Sequence, residues 1–306
     1  IRSTDLRLIT LAENTTSWLW LLGESGWSIL VEAAGQRFLF DTGLTTTAVH
    51  NAGRMGISPA SIDRILLSHG HNDHTGGLRS ILQNAGMEAG QTNFVERKRT
   101  SMDVVCHPDI WGPKYIRHAD HTMYHYGGIP FRREDLEMHC GARFVESRAP
   151  VHVTDDIVWS GEIPMVNDFE HYTTICFLKK NPDAALDDDS QFEPDPMKDD
   201  AALYLRTDKG LVIILGCSHR GIINTIHHAQ HVMGEERVHT VVGGTHLCDA
   251  SEERIEKTAE ELIRLRVERV GASHCTGFHA MFRLEQKLGP DIFFANNAGH
   301  VIACAH

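Results

Sequence analysis

The sequence has 306 residues, 41 acidic against 29 basic side chains and a formal net charge of −12 at pH 7. This balance argues against a nucleic-acid partner, because phosphate binding needs clustered Lys and Arg. Seven cysteines without a close paired spacing argue against a disulfide framework and favour a reducing, cytoplasmic location. No apolar run reaches the roughly 20 residues of a membrane helix, so we expect no membrane partner.

The first part of the chain predicts strands with short connections. Residues 6–11 form an opening strand, and residues 27–33 and 36–40 are apolar runs joined by Ala34-Gly35, which is typical of a hairpin. A helical pattern follows at 49–55. These elements lead towards the most distinctive stretch of the sequence.

That stretch is a loop at residues 68–77, placed between an apolar run at 65–67 and a helical pattern from 78 to 84. Such a run before a glycine-containing turn predicts a buried strand, with the loop at its carboxyl end, where α/β sheets place their chemistry. The loop carries four potential metal ligands within six consecutive positions, namely His69, His71, Asp73 and His74. Imidazoles together with a carboxylate suit a catalytic site for zinc or a similar ion, and two ions a few Å apart fit this spacing.

The middle of the chain is less regular. After a strand at 103–107, residues 111–150 show no sustained period, and we expect a long insertion that covers the site as a lid. It is rich in Arg, His and Tyr, including His118 and His121, which suits recognition of an anion or a ring. A further strand is predicted at 172–178. Residues 183–200 are rich in Pro and Asp, a composition typical of a solvent-exposed acidic loop.

The second half alternates strands and helices. Strands are predicted at 201–206, 211–215, 238–242, 267–272 and 292–294, and helices at 221–233, 252–266 and 278–288. Strands with helices between them in both halves predict an α/β protein with a four-layer αββα sandwich. We expect residues 1–306 to form a single domain.

Two later loops have the same order of features as the first: an apolar strand, small residues with a histidine, and then a helix. One contains Gly216-Cys217-Ser218-His219 and the other Ser273-His274-Cys275. Because parallel strands bring such ends together, these loops are expected to complete the site. Another strand ends in Gly243-Gly244-Thr245-His246, and His246 is expected to face the substrate there.

The pattern His69-x-His71-x-Asp73-His74 after an apolar strand resembles the signature of the metallo-β-lactamase superfamily. Further motifs resemble the branch labelled 7,8-dihydropterin-6-methyl-4-(β-D-ribofuranosyl)aminobenzene-5'-phosphate synthase-like: Leu-Phe-Asp-Thr-Gly at 39–43, Gly-Glu-Ile-Pro at 161–164, Asp-Ala-Ala-Leu at 200–203, Gly-Cys-Ser-His at 216–219, Gly-Gly-Thr-His-Leu at 243–247 and His-Cys-Thr-Gly at 274–277. The resemblance implies the superfamily's sandwich fold and a metal-dependent activity.

The resemblance also implies roles for residues outside the first loop. His274 takes the position of the superfamily's last histidine ligand, and Asp41 that of an aspartate that supports the metal loop from behind its ligands. In many members an aspartate that bridges two metals stands where Cys217 stands here. We expect His219 as a ligand, and Cys217 as a supporting or substrate-contacting residue whose thiolate is also able to bind zinc. The usual histidine between the first loop and this strand has no clear counterpart, which leaves one ion or two open.

These residues predict a metal-dependent hydrolase, with one or two zinc ions and with iron or manganese as alternatives. Metal-bound hydroxide would attack a small anionic substrate such as a phosphoester or lactone. Asp73 would orient the nucleophile or hold a second metal, and His246 would donate to the oxygen that develops charge or to the leaving group. One alternative is a synthase that joins a pterin pyrophosphate to an aminobenzene ribotide with loss of pyrophosphate. A further alternative is iron-dependent redox chemistry on the same fold. The expected partner is a small molecule, and a homo-oligomer is left open.

Overall fold

The structure is a computed structural model that describes residues 1–88, 101–117, 122–171 and 175–304. The predicted lid residues His118 and His121 and the first part of the predicted strand at 172–178 lie outside these ranges. Within them, no helix combines the length and the apolar character that crossing a membrane would require.

The strands follow the chain in the order β1 (Arg7–Ala12), β2 (Ser28–Ala33), β3 (Gln36–Phe40), β4 (Arg64–Leu66), β5 (Met102–Cys106), β6 (Lys114–Ile116), β7 (His125–Tyr126), β8 (Ala142–Glu146), β9 (Val151–Thr154), β10 (Ile157–Trp159), β11 (Cys176–Lys179), β12 (Phe192–Pro194), β13 (Ala202–Thr207), β14 (Gly210–Leu215), β15 (Val238–Gly244), β16 (Arg269–Ser273), β17 (Phe293–Ala295) and β18 (Val301–Ala303). The helices are α1 (Thr47–Arg54), α2 (Asn72–Thr75), α3 (Leu78–Glu88), α4 (Arg133–Cys140), α5 (Ile222–Met233), α6 (Glu252–Arg264) and α7 (Phe278–Leu288).

Two seven-stranded sheets form the frame. The first has the strand order β18-β1-β2-β3-β4-β5-β8, and the second β17-β16-β15-β14-β13-β10-β9. In the first sheet β3, β4, β5 and β8 run parallel, and in the second β14 to β17 do. The loops that follow β4, β14, β15 and β16 therefore leave from carboxyl ends of parallel strands, which is where the predicted ligands are found.

The apolar core has three parts, one between the two sheets and one on the outer face of each sheet. Side chains such as Trp27, Phe38, Trp159 and Ile214 pack together between the two sheets. Helices α1, α3 and α4 cover the outer face of the first sheet, and α5, α6 and α7 that of the second. Every residue of β14 is buried, because both faces of this central strand are covered. The predicted four-layer αββα sandwich is confirmed.

The predicted insertion at 111–150 divides between two parts of the fold. Residues 133–146 form α4 and β8, which extend the first sheet and its helix layer. Strands β6 and β7 instead join β11 and β12 in a small third sheet. This sheet lies beside the histidine loop, since the Asn72 amide donates to the Gly127 carbonyl over 2.9 Å.

The acidic stretch 183–200 is only partly the exposed loop that its composition predicts. Its last part is buried, with Asp195, Asp199 and Asp200 at most 3% exposed. The prediction was wrong there because Lys114 in β6 donates to Asp195 over 2.7 Å and to Asp199 over 2.9 Å. A buried carboxylate is tolerated when a counter-charge satisfies it, and composition alone does not show such a partner.

Gly221, just before α5, is required by its surroundings. Its φ is +98°, and a Cβ there would lie 2.2 Å from Oε2 of Glu170, whose carboxylate accepts the amides of Ile223 and Asn224 at the helix start. We expect Gly221→Ala to lower the free energy of unfolding by about 2–3 kcal/mol in urea denaturation, through strain and a disturbed cap. Gly234→Ala is the control, because that glycine has φ +61° but no described atom within 4 Å of its Cβ position. An equal loss in both variants would contradict the role of Glu170.

Candidate metal centre

Three loops meet at one edge of the two sheets and bring the predicted ligands together. The first follows β4 and contains α2, the second follows β14, and the third follows β16. Five histidines from these loops, His69, His71, His74, His219 and His274, are at most 6% exposed. Their rings form a continuous cluster, with neighbouring ring centroids 4.2–5.1 Å apart. The convergence expected from the sequence is therefore present in the geometry.

The first ligand group consists of His69, His71, Cys217 and His219. Nε2 of His69 and Nδ1 of His71 lie 3.0 Å apart, and the ring of His219 is 4.9 Å from the His69 ring and 5.0 Å from the His71 ring. One potential ligand atom each from His69, Cys217 and His219 lies within 4.8 Å of the others. His219, predicted as a ligand, therefore lies against both histidines of the first loop, while the histidine expected between that loop and β14 still has no counterpart in this group.

The second ligand group consists of Asp73, His74, Cys217 and His274. Nε2 of His74 lies 3.0 Å from the sulphur of Cys217, and Oδ2 of Asp73 lies 3.2 Å from Nε2 of His274. Ligand atoms of His74, Cys217 and His274 again lie within 4.8 Å of one another. Cys217, predicted as a supporting residue, therefore sits where the two groups meet, and its sulphur is near enough to serve both.

Asp41 orients the first loop as the resemblance implied. Its carboxylate accepts the amide of Ser68 over 2.7 Å and the Ser68 hydroxyl over 2.6 Å, and it pairs with Nδ1 of His74 over 2.7 Å. This contact leaves Nε2 of His74 facing Cys217. A carboxylate behind a histidine fixes the ring and raises its basicity as a ligand.

Two residues that hold His274 were not found from the sequence. Oδ1 of Asn14 lies 2.9 Å from Nδ1 of His274, and the Glu13 carboxylate accepts the His274 amide over 2.7 Å. Both follow β1, where the apolar run of the strand gives way to polar residues. That change is the only signal that the sequence offered.

Backbone strain is concentrated at this edge. Seven non-glycine residues in the described ranges have a positive φ, and four of them belong to the ligand loops or directly support them: Asp41, Ser218, His246 and His274. Such conformations cost of order 1–3 kcal/mol each and persist where surrounding contacts impose them, often at functional sites. The contacts of Asp41 and His274 are of this kind.

The pKa values of the histidines differ between the two ligand groups. Burial, reinforced by neighbouring imidazoles, lowers the pKa of His69 and of His219 far below the usual value. Burial also lowers the pKa of His71, to about 3. These rings are neutral at pH 7 and have free lone pairs. For His274 burial lowers the pKa, but the Asp73 carboxylate outweighs it and raises the pKa to about 9.

The donor atoms fit a metal ion. Nε2 of His71 and both ring nitrogens of His219 are buried without a hydrogen-bond partner among the described residues. Leaving so many polar atoms unsatisfied is costly unless a ligand completes them. Imidazole, thiolate and carboxylate together suit a borderline-soft divalent ion better than calcium or magnesium.

His246 lies at the rim of the site. Its ring centroid is 4.3 Å from that of His219, its amide donates to the sulphur of Cys275 over 3.3 Å, and its side chain is partly exposed. It therefore lies next to the first ligand group and is partly accessible to solvent.

Metal uptake should release protons. Asp73 raises the pKa of His274 to about 9, and burial raises that of the Cys217 thiol, so both groups carry a proton at pH 7. Because metals bind the deprotonated forms, we expect at least two protons to leave on full loading at pH 7 and the affinity to rise with pH through about 9 and beyond, since the thiol still holds its proton there. Calorimetry in buffers of different ionisation enthalpy measures this number. His274→Ala should reduce it by one, and release of no protons by the unmodified protein would contradict the assignment.

Comparison with known proteins agrees with this geometry. A sequence model of the metallo-beta-lactamase superfamily matches residues 21–90, which include the histidine loop. A crystal structure described as a metal-dependent hydrolase of the beta-lactamase superfamily superposes with a TM-score of 0.76 at 26% identity, covering 97% of this chain and 98% of that one. Zn(2+)-bound PqqB from Methylobacterium extorquens shares the fold at a TM-score of 0.53 and 10% identity, covering 97% and 99%. The chain belongs to the metallo-β-lactamase superfamily, a class of metal-dependent enzymes.

Within this class, one curated relative is similar along nearly its whole length. It is the 7,8-dihydropterin-6-methyl-4-(beta-D-ribofuranosyl)-aminobenzene-5'-phosphate synthase of Methanocaldococcus jannaschii, with 32% identity over 97% of this chain and 96% of the relative. The branch indicated by the motifs is thereby confirmed. The superfamily is metal-dependent, and two buried groups of histidine and cysteine side chains in this chain could each hold a metal ion.

Proposed function

We propose that the protein is a metal-dependent hydrolase that acts on a small anionic substrate such as a phosphoester or lactone. The observation that carries the proposal is the pair of ligand groups that share Cys217 beside buried, unpartnered imidazole nitrogens. Zinc is the proposed metal, held by His69, His71, Cys217 and His219 in one group and by the second ligand group in the other. When bound, such an ion lowers the pKa of water and offsets negative charge that develops on oxygen.

Asp73 is proposed to orient the attacking water. Burial opposes its ionisation, but His74 and His274 outweigh burial and hold the pKa of Asp73 far below the usual value. A carboxylate of such low basicity is a poor general base at pH 7, so it acts by accepting a hydrogen bond. Its side chain is 27% exposed, against 4% for that of His274, and the carboxylate thus reaches the open side of the site.

His246 is proposed to donate a proton or hydrogen bond to the oxygen of the leaving group. Its partly exposed ring lies beside His219 on the rim, within reach of a substrate in the first ligand group. Asp73 thus belongs to the second ligand group while His246 lies beside the first, so that one side chain is available to orient the nucleophile and the other to stabilise charge on the leaving group.

The test is turnover of phosphomonoesters, phosphodiesters and lactones by metal-free protein and by protein reloaded with zinc, manganese or iron. We expect at least one class to be hydrolysed and its rate to fall by at least about 10³-fold on chelation, with recovery on reloading. Asp73→Asn and His246→Ala should slow the same reaction, whereas Asp208→Asn, at the turn between β13 and β14, should not. Full activity in protein shown to be metal-free would refute the proposal.

A second candidate is a synthase reaction, favoured by the 32% identity to the synthase of M. jannaschii over 97% of the chain. In it an aryl amine on an aminobenzene ribotide would attack a pterin pyrophosphate, form the new bond and expel pyrophosphate. Incubation with the pterin pyrophosphate, with and without the ribotide, separates the two functions. Pyrophosphate release that requires the amine supports the synthase, and release by water alone supports the hydrolase.

A further inference from the structure

One short segment touches both loops of the first ligand group. The Asp199 carboxylate accepts the amide of Gly70 over 2.8 Å, and the amide of Ala201 donates to the Ser68 carbonyl over 3.0 Å. The backbone is therefore held on both sides of His69. The adjacent Asp200 carboxylate accepts the amide of Arg220, directly after His219, over 2.9 Å.

We propose that Asp199 and Asp200 are positioning residues that fix the separation between the loop of His69 and the loop of His219, and thereby set the affinity of the first ligand group for its metal. The inference rests on the proposed metal centre, but it is independent of which reaction that centre catalyses. Neither aspartate provides a ligand atom in either group of potential ligands that the described residues form.

The hydrogen bond between Asp199 and Gly70 is buried and supported by a cation. The residue is 1% exposed, and Lys114 donates to its second oxygen over 2.9 Å while also pairing with Asp195 over 2.7 Å. A charge-assisted hydrogen bond inside a protein is stronger than one at the surface, because little water competes for either partner. The Lys114 ammonium thus holds the carboxylate that holds Gly70.

The hydrogen bond of Asp200 lies next to a strained turn. Ser218, between Cys217 and His219, has φ +54°, a conformation that needs external support in a non-glycine residue. Asp200 is fully buried, and its carboxylate accepts the amide of Arg220, two residues after Ser218. The Arg220 guanidinium donates to the carbonyls of Ile163 and Pro196. Both contacts fix the path of the chain after His219.

The second ligand group has separate supports. Asp41 pairs with His74, and Asn14 and Glu13 hold His274. None of these contacts passes through residues 199–201. Although Cys217 is common to both groups, removal of the supports at Asp199 or Asp200 should weaken the first group more than the second, which a general loss of folding would not produce.

The experiment titrates metal-free protein with Co²⁺ against a competing chelator and records the visible spectrum. In a His274→Ala background, which disables the second group, Asp200→Ala and Asp199→Ala should each raise the Kd for Co²⁺ by about 10–100-fold. Asp200→Asn, which keeps an oxygen for the Arg220 amide, should raise it by less than about threefold. In a His219→Ala background, Asp200→Ala should change the Kd of the remaining site by less than about twofold.

Asp208→Asn is the matched control, since Asp208 also accepts a backbone amide, that of Ser3 over 2.8 Å, at a turn far along β14 from Cys217. Urea denaturation of each metal-free variant identifies variants that do not fold, and the Asp199 and Asp200 variants test the two loops separately. Equal weakening in both histidine backgrounds, or none in the first, would overturn the positioning role. If the unmodified protein took up no Co²⁺, the proposed metal centre itself would fail.

Discussion

Cys217→Ala is expected to weaken the binding of both metal ions by more than about 100-fold and to lower turnover by at least about 10³-fold. The reason is that the Cys217 sulphur belongs to both ligand groups and lies 3.0 Å from Nε2 of His74. Removal of a histidine, such as His69, takes a ligand from one group only. Elemental analysis after dialysis at fixed free zinc measures the loss directly.

The variant Cys217→Asp tests whether an anionic donor at this position is what both ligand groups need. An aspartate restores an anionic donor and matches the residue that bridges metals in many superfamily members, so two ions should bind again. Carboxylate oxygen is a harder ligand than thiolate, so the variant should bind zinc less tightly and tolerate manganese better. In cobalt-loaded protein the thiolate-to-metal absorption should disappear. Cys304→Ala removes another buried thiol, in the core between the sheets, and should leave both ions bound. Two tightly held ions in Cys217→Ala would exclude a shared thiolate.

The first histidine loop was predictable because its chemistry is local. Four candidate ligands fall within six positions between a strand and a helix, and the structure buries the three histidines in one cluster with Asp73 beside them. For the later loops the sequence predicted that they carry candidate ligands and complete the site, but not which of those ligands would become neighbours. Sheet topology decides which strand ends become neighbours, and the contact of His219 with both His69 and His71 depends on the packing of two sheets. Motif spacing does not contain that information.

Most of the residues that hold the ligand loops in place were not predicted from the sequence. Glu13, Asn14 and Asp199 have no motif that marks them, and the motif that begins at Asp200 does not reveal its role. Their partners are distant in sequence: 129 positions separate Asp199 from Gly70, and 260 separate Asn14 from His274. Asp199 and Asp200 even belong to a stretch whose composition indicates exposure. Asp199 is buried because the Lys114 ammonium pairs with it, and Asp200 because the Arg220 amide donates to it. Both contacts depend on the tertiary fold.

Lys114→Met should be among the most destabilising single substitutions in this protein, with a loss of about 3–5 kcal/mol in the free energy of unfolding. Lys114 is 1% exposed, and its ammonium pairs with two buried carboxylates, those of Asp195 and Asp199. Methionine fills a similar volume but leaves both carboxylates without a counter-charge. Lys257→Met is the matched control, since Lys257 pairs with Glu253 on the surface of α6, and it should leave the unfolding midpoint nearly unchanged.

The pH dependence of this loss identifies its cause. In the unmodified protein burial acts to raise the pKa of both carboxyls and Lys114 acts to lower it, so that the pKa of Asp195 is raised and that of Asp199 is lowered. Without the ammonium, both carboxyls should have a higher pKa in the folded than in the unfolded state. Stability is then retained at low pH, where the carboxyls are protonated in both states, and is lost as the pH rises through the folded-state values. The deficit of Lys114→Met relative to the unmodified protein should therefore be smaller at pH 5 than at pH 8, measured by urea denaturation of the metal-free forms. A deficit that is equal at both pH values would point to lost packing instead of buried charge.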